Sequence, residues 1–338
     1  MRILIATDAW RPQVNGVVQT YERLQEQLVQ FGHEVQFLVP EGFRTLPLPT
    51  YPEIRLALIT PARARRKVEA FRPDYIHIGT EGPIGLATRL FCVKAHHPFT
   101  TSYHTRFPEY VSARLPIPLS WGYKFERWFH NAANGIFVAT PSLQEELSNK
   151  GLKRLMPWSR GVDTDMFRPR NVRLFGADPV FLYVGRVAVE KNLRAFLDLD
   201  LPGKKVIVGG GPQRKALKSA YPDAIFTGPL LGEALSEAFA SADVFVFPSR
   251  TDTYGIVLLE ALASGVPVAA YPVTGPKDVV ENGKVGFIDE NLQEAAIQAL
   301  SVDRDACRDF ALKFSWEACA RQFVSNITSV CGHIRPAA

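Results

Sequence analysis

The apolar positions of this 338-residue chain come in short runs, separated by stretches of helical period. Ile3-Leu4-Ile5-Ala6 is a continuous apolar run of the length of a buried strand. A polar loop, Asp8 to Asn15, follows it. From Gly16 the period changes: Val17, Tyr21, Leu24, Leu28 and Phe31 step by four, three, four and three, which traces one face of a helix. Gly32 is placed to end that helix in the left-handed conformation. Further strand-like runs lie at 34–39, 74–78, 98–103 and 135–140, with helical stretches between them. The pattern restarts at Val180-Phe181-Leu182-Tyr183-Val184-Gly185, and more strands are expected at 204–209, 224–227, 243–247 and 266–270. Strands alternating with helices predict a parallel, doubly wound α/β sheet, and the restart predicts a second one. The join falls in MPWSRGVDTDMFRPR, residues 156–170, which is rich in Pro, Gly and polar side chains. One domain is therefore expected over 1–165 and another over 166–314. A last helix, about 315–330, opens at Phe314-Ser315-Trp316.

Composition narrows the class. At 46% hydrophobic and 22% charged residues, the chain is globular and can bury a large core. Its apolar runs fall far short of the 18 or so residues that a membrane-spanning helix needs. Met1-Arg2 leads straight into a strand and then Trp10-Arg11-Pro12, without the apolar core of a signal peptide. Cys92, Cys307, Cys319 and Cys331 have neither metal nor disulfide spacing, and they suit a reducing compartment as small hydrophobes. These features predict a cytoplasmic protein. A net charge of +5 favours an anionic partner without choosing among a membrane surface, nucleic acid and nucleotide phosphate.

Candidate chemistry concentrates in PSRTDTYGIVLLEALASGVP, residues 248–267. Two acids, Asp252 and Glu260, stand with seven residues between them. A loop ends near Tyr254-Gly255, and an apolar helix follows, opening with free N–H groups at Gly255, Ile256 and Val257. Glu260 lies about one and a half turns, roughly 7.5 Å, further along the axis. A nucleotide-sugar matches that sequence of features: hexose at Asp252, diphosphate at the helix start, ribose at Glu260. Gly185-Arg186 after one strand and Lys191-Asn192 at the next helix place two cations at the carboxyl edge of the second sheet, where doubly wound folds bind ligands. Fixed cations there stabilise the charge that develops on a departing diphosphate. Gly209-Gly210-Gly211-Pro212 permits close approach of backbone to a ligand, and equally reads as a tight turn. A plain helix start also accounts for Asn15-Gly16, and a lone His104 is ordinarily structural.

Two further segments mix charge with rings. Residues 61–72 carry Arg63, Arg65, Arg66, Lys67 and Arg72, and residues 105–130 add Phe107, Tyr110, Arg114, Leu115, Trp121, Tyr123, Lys124, Phe125, Arg127, Trp128 and Phe129. Such interleaving suits anionic headgroups and the bilayer interface. No nucleic-acid module accompanies it, so nucleic acid is not expected as a partner. Trp121, Phe125, Trp128 and Ala132 share one helical face and also read as core.

The 248–267 segment resembles the acid–seven residues–acid motif of family 4 retaining glycosyltransferases, which have the GT-B fold. There the common form is Glu, an aromatic and Gly, then Glu, Ala and a small-Gly-Pro turn. Here the first acid is Asp252, one methylene shorter, with Thr253 before Tyr254. The resemblance covers nearly the whole chain, with motifs in the expected order. The chain is somewhat short for the family, the loss falling near 171–178 and 195–203. Arg160-Gly161-Val162-Asp163 is similar to the interdomain linker.

The resemblance implies two Rossmann-like domains facing a central cleft, with the 315–338 helix packing back on the first. It implies that Arg186 and Lys191 hold the donor diphosphate and that the turn at Gly211 borders the donor pocket. The loop Thr227-Gly228-Pro229-Leu230 would meet the base, mostly through backbone. Gly16 would face the donor phosphate across the cleft. Tyr103-His104-Thr105 with Phe107-Pro108-Glu109-Tyr110 resembles the acceptor-side motif of lipid-modifying members, where the His lies close to the transferred hexose. The implied reaction retains anomeric configuration by front-face attack, and the leaving phosphate takes the acceptor's proton. No cofactor or metal is implied; Asp163-Thr164-Asp165 has metal-binding letters but sits in the linker. The similar subgroup holds sulfoquinovosyl- and glucuronosyl-diacylglycerol synthases and α-mannosyltransferases. It implies transfer from a UDP-sugar to a diacylglycerol-type lipid at the inner leaflet, by a protein held peripherally on the membrane. GDP-mannose is the rival donor. A nucleotide-sugar epimerase, which shares this fold and needs no acceptor, is the alternative of another class, and a non-catalytic sugar-nucleotide-binding module is a third.

Overall fold

The computed structural model describes residues 1–13, 15–48, 51–112 and 118–331. The chain divides into two compact units, Met1–Ser159 with Trp316–Ala338, and Arg160–Ser315.

The first unit contains β1 (Arg2–Ala6), β2 (Glu34–Leu38), β3 (Thr45–Leu48), β4 (Tyr51–Ala57), β5 (Tyr75–Ile78), β6 (Thr100–Ser102), β7 (Gly135–Val138) and β8 (Leu155–Pro157). Six of these form one parallel sheet in the order β2-β1-β5-β6-β7-β8, while β3 and β4 pair as an antiparallel hairpin. The sequence signalled neither the hairpin nor β8. Pro47 and Pro52 within the hairpin break the usual strand signature, and β8 is a three-residue piece of the segment read as linker. Ile3, Leu4, Ile5 and Ala6 are buried, as a strand covered on both faces requires.

The helix Gly16–Gln30 starts where the change of period places it, and Gly32 follows it at φ +80°. Asn15 caps it: Oδ1 accepts the Val17 and Val18 N–H groups at 3.0 and 3.1 Å. Its buried face is Val18, Thr20, Tyr21, Leu24 and Leu28. Val18 rather than Val17 therefore opens the buried stripe, because the cap turns the first residue outward. The helix Trp316–Cys331 packs on Gly16–Gln30. It is fastened to the end of the sheet, where Trp158 Nε1 donates to the Cys319 carbonyl at 3.1 Å and Asn326 Nδ2 donates to the Pro157 carbonyl at 2.8 Å. Among the described residues, no helix is long and apolar enough to cross a membrane.

The second unit contains β9 (Val180–Val184), β10 (Lys204–Val208), β11 (Ile225–Gly228), β12 (Val244–Phe247), β13 (Val268–Ala270) and β14 (Gly286–Ile288). They form one parallel sheet in the order β11-β10-β9-β12-β13-β14. Each strand expected from the second half is present, and β14 is an addition too short to carry a period. The order reverses at β9, which has β10 on one side and β12 on the other. The loops after β9 and β12 therefore part and leave a crevice at the carboxyl edge, the general ligand position of such sheets. The two ends of this unit meet, with Val162 N–H donating to the Phe314 carbonyl at 3.1 Å.

Candidate donor site and a buried histidine network

The loop after β9 lies against the loop after β10, backbone on backbone. Gly185 N–H donates to the Val208 carbonyl at 3.0 Å, Val187 N–H to Gly210 at 2.8 Å, and Gln213 N–H to Val187 at 3.0 Å. A Cβ on Gly209 (φ +147°) would lie 1.8 Å from the Gly185 oxygen, and one on Gly211 (φ +153°) 2.4 Å from the Val187 oxygen. The close approach that demands glycine is thus between the two loops, a nearer cause than approach to a ligand. Together they make a rigid frame for Arg186, whose carbonyl accepts from Tyr183 Oη at 2.9 Å.

The loops after β9 and β12 are joined across the reversal. Asn192, in the left-handed conformation at φ +52°, donates through Nδ2 to the Pro248 carbonyl at 3.2 Å. Ser249 Oγ and Thr251 Oγ1 donate to the Glu190 carbonyl at 3.5 and 3.4 Å. Lys191 Nζ pairs directly with Asp252 Oδ1, with 19% and 16% of the two side chains exposed, so water screens the pair only in part. Asp252 Oδ2 is buried with no hydrogen-bond partner among the described residues, which leaves it acceptor capacity.

Beyond Asp252 the chain passes Tyr254, which is buried, and Gly255, which opens the helix Ile256–Ala263 at φ +81°. Its N-cap residue, Gly255, has no side chain to cap it, so the positive end of the helix at Ile256 and Val257 suits an anion. Glu260 lies one turn further and is buried. Ser264 Oγ donates back to its carbonyl at 2.9 Å, near the end of the helix. The crevice thus gathers Arg186 and Lys191 from one side, and Asp252, Tyr254, Gly255, Ile256, Val257 and Glu260 from the other. Cations and free amides suit phosphate oxygens, and carboxylates suit sugar hydroxyls. Gly211 and Leu230 follow β10 and β11, further along the same edge. The Gly228 carbonyl in the Leu230 loop accepts from Gly209 N–H at 2.9 Å. Asn192, Ser249 and Thr251 escaped the sequence reading, since nothing in a sequence marks which carbonyl a short polar side chain will reach.

In the first unit, Gly16 is exposed at its helix start, where Asn15 already occupies the first amides. His104 follows β6 and joins a hydrogen-bonded network: Tyr21 Oη is 2.8 Å from His104 Nε2 and 3.2 Å from His77 Nε2. His77 lies on β5, fully buried. A histidine inside the apolar run Tyr75–Ile78 was the available signal for it.

A second buried cluster lies nearby in sequence. His130 Nε2 sits 3.1 Å from Glu81 Oε1 and 3.0 Å from Glu126 Oε2, and Nδ1 sits 2.9 Å from Thr101 Oγ1. Burial disfavours the His130 charge, but the two carboxylates outweigh it and push its pKa up to about 9. Burial raises Glu126 to about 7. These three ligand groups lie within 4.8 Å of one another, close enough for a cation, and the imidazolium proton supplies that charge.

The candidate membrane segments divide clearly. In the helix Pro61–Phe71, Ala64, Val68 and Phe71 are buried, while Arg63, Arg65, Arg66 and Lys67 are exposed, Arg65 pairing with Glu69 at 2.6 Å. Phe107 is exposed at the start of the helix Phe107–Ser112, which also holds Tyr110. In the helix Leu119–His130 the buried side is Tyr123, Glu126, Phe129 and His130. Trp121 is 69% exposed and Trp128 48%, with Arg89 stacked 3.8 Å over the Trp128 ring. The core reading of this face is corrected for Trp121, Trp128 and Ala132, which are exposed, while Phe125 packs half-buried against the core of the first unit; the ion-paired Glu126 and His130 lie on the buried side. Arg114 and Leu115 lie outside the described residues.

Comparison with known proteins agrees across the chain. Residues 14–166 match the family described as "Glycosyltransferase Family 4", and residues 178–302 that described as "Glycosyl transferases group 1". The chain is 30% identical to sulfoquinovosyl transferase SQD2 of Arabidopsis thaliana over 90% of its own length and 69% of that protein's. It is 32% identical to a GDP-mannose-dependent alpha-mannosyltransferase of Mycobacterium tuberculosis, over 85% and 83%. It is 24% identical to alpha-monoglucosyldiacylglycerol synthase of Streptococcus pneumoniae, over 97% and 84%. Among solved structures, sucrose-phosphate synthase from Thermosynechococcus elongatus superposes with a TM-score of 0.78 at 19% identity, over 96% of this chain and 97% of that one.

Proposed function

The chain belongs to glycosyltransferase family 4, and from that membership we propose that it moves a hexosyl group from a UDP-sugar to a membrane lipid such as a diacylglycerol. The observation that carries the proposal is the Lys191–Asp252 pair spanning the reversal point of the second sheet, beside an uncapped helix start and the buried Glu260. In this reading Lys191 and Arg186 neutralise the leaving diphosphate, the amides of Ile256 and Val257 assist them, Asp252 accepts from hexose hydroxyls and Glu260 from the ribose. The reaction proceeds with retention and needs no metal, since the charge a metal would offset is met by two side-chain cations. His104 serves the transferred hexose, on the strength of the family resemblance.

The lipid acceptor is supported by the name of the Streptococcus relative and by the exposed rings of Phe107, Trp121 and Trp128. The basic outer face of Pro61–Phe71 would hold the protein peripherally on an anionic inner leaflet. The mannosyltransferase relative favours a second reading, GDP-mannose as donor. A mass-spectrometric screen of UDP- and GDP-sugars with diacylglycerol vesicles separates the two. A hexosyl-diacylglycerol formed from a UDP-sugar is expected; product from GDP-mannose alone would establish the second reading, and no lipid product from any donor would overturn the first.

A further inference from the structure

Two carboxylates and one imidazole close on a single point inside the first unit. Glu81 comes from the loop after β5, and Glu126 and His130 stand one turn apart on the helix Leu119–His130. His130 Nε2 lies 3.1 Å from Glu81 Oε1 and 3.0 Å from Glu126 Oε2, and the three ligand groups lie within 4.8 Å of one another. The side chains of Glu126 and His130 are wholly buried, and that of Glu81 is 10% exposed.

One proton does not satisfy this arrangement. An N–H donates best along one line, and the hydrogen bond of His130 Nε2 goes to Glu81. Both oxygens of Glu126 are left in ion-pair contact without a hydrogen bond. So is the buried hydroxyl of Tyr103, whose ring lies 5.8 Å from that of His130. Buried carboxylate oxygens in that condition call for an ion or a water. The charge count favours an ion. Two carboxylates and one imidazolium leave a net negative charge in the interior, which is costly, whereas two carboxylates and a divalent cation leave none.

The spacing favours the same answer. Metal bonds of about 2.1 Å meeting at right angles put ligand atoms roughly 3.0 Å apart, the edge of an octahedron. Both separations from His130 Nε2 have that length. On the other side of the ring, Nδ1 sits 2.9 Å from Thr101 Oγ1. With Nε2 on a metal the ring proton is on Nδ1 and Thr101 accepts it, which is the outer support that metal-bound histidines use.

We infer that Glu81, Glu126 and His130 form a site for one divalent first-row cation, which takes the place of the imidazolium proton. The mixed oxygen and nitrogen set suits such an ion. It ties the loop after β5 to the helix Leu119–His130, a structural role apart from sugar transfer. Glu81, the least buried ligand, marks the way in.

Mn2+ is the probe, on the full chain stripped with EDTA and free of nucleotide. Electron paramagnetic resonance, which reads free Mn2+, should show one ion withdrawn per chain at micromolar concentrations. Thr101→Val, which removes only the outer support, should weaken binding about 10–100-fold. Glu81→Gln should weaken it further, and Glu126→Gln should abolish it. Circular dichroism checks that each variant folds. A wild type that withdraws no Mn2+ overturns the inference, whatever the variants do. So does a folded Glu81→Gln that binds as the wild type does, which would mark the ion as adventitious at other carboxylates.

Discussion

Lys191 is already paired, so on the proposed reading a diphosphate reaching it would exchange one anionic partner for another and release Asp252 to the sugar. Asp252→Asn should therefore act in opposite directions on binding and on chemistry. Freed from its partner, Lys191 should hold a nucleoside diphosphate about fivefold more tightly, roughly 1 kcal/mol, while sugar transfer slows for want of the carboxylate. Calorimetry and turnover on the same preparation check this; weaker diphosphate binding in the variant would contradict it. Lys191→Ala should cut turnover about 10²–10³-fold with normal melting, the scale for one preorganised charge-stabilising group. Glu260→Gln keeps shape but weakens charge-assisted bonds, so donor affinity should drop by about 1–3 kcal/mol.

The buried His130 cluster carries a pH signature. Its folded-state pKa of about 9 is raised above the ordinary 6.5, so its contribution to stability is fully present below pH 6.5 and is lost as pH rises through 9. Glu126, raised from 4.5 to about 7, loses its share in the same direction at lower pH. All five tryptophans, Trp10, Trp121, Trp128, Trp158 and Trp316, belong to the first unit, so fluorescence-detected urea unfolding isolates this unit. Its midpoint should fall between pH 6.5 and 9, and His130→Gln should flatten that slope.

At the scale of elements, legibility followed what each element owes to its own residues. Val180 to Val184 and Ile3 to Ala6 are buried on both faces and read as strands from their apolar runs alone. The start of Gly16–Gln30 was legible from the change of period, while its Asn15 cap was not read. Elements that neighbours impose were not legible: β8 and β14 are three residues each and exist because β7 and β13 offer them an edge. In the donor site, Arg186, Lys191 and the two acids were visible as residue types at telling spacings. Their fastening through Asn192, Ser249 and Thr251 was not, because it runs to backbone carbonyls whose positions only the folded sheet defines. The apolar period of Leu119–His130 left its orientation open between core and membrane surface, because it takes no account of the buried ion pair of Glu126 and His130. The exposed basic face of Pro61–Phe71 yields a prediction of its own. Replacing Arg63, Arg65, Arg66 and Lys67 together by Gln should release the chain from anionic vesicles, at about 1 kcal/mol per residue. The loss should be largest at low salt, since salt already screens the wild type. Transfer to a water-soluble, short-chain acceptor should change little, and equal vesicle binding across salt concentrations would reduce these side chains to a solvated face.

For the whole molecule, the chain leaves the first unit at Ser159, builds the entire second unit, and returns at Trp316. The second unit is thus an insertion whose ends are tied by the Val162–Phe314 hydrogen bond. The order of synthesis then becomes a property of the fold. As the ribosome proceeds, the first sheet emerges before the helix Trp316–Cys331, which supplies Trp316, Phe323 and Ile327 to its core. A nascent chain must wait for the intervening 156 residues, Arg160 to Ser315, before that core can close. The inserted part has no such debt. A fragment of residues 160–315 should fold unaided and bind a nucleoside diphosphate, whereas a fragment of residues 1–159 should expose its apolar flank and recruit a holding chaperone until the missing helix is added back as a peptide.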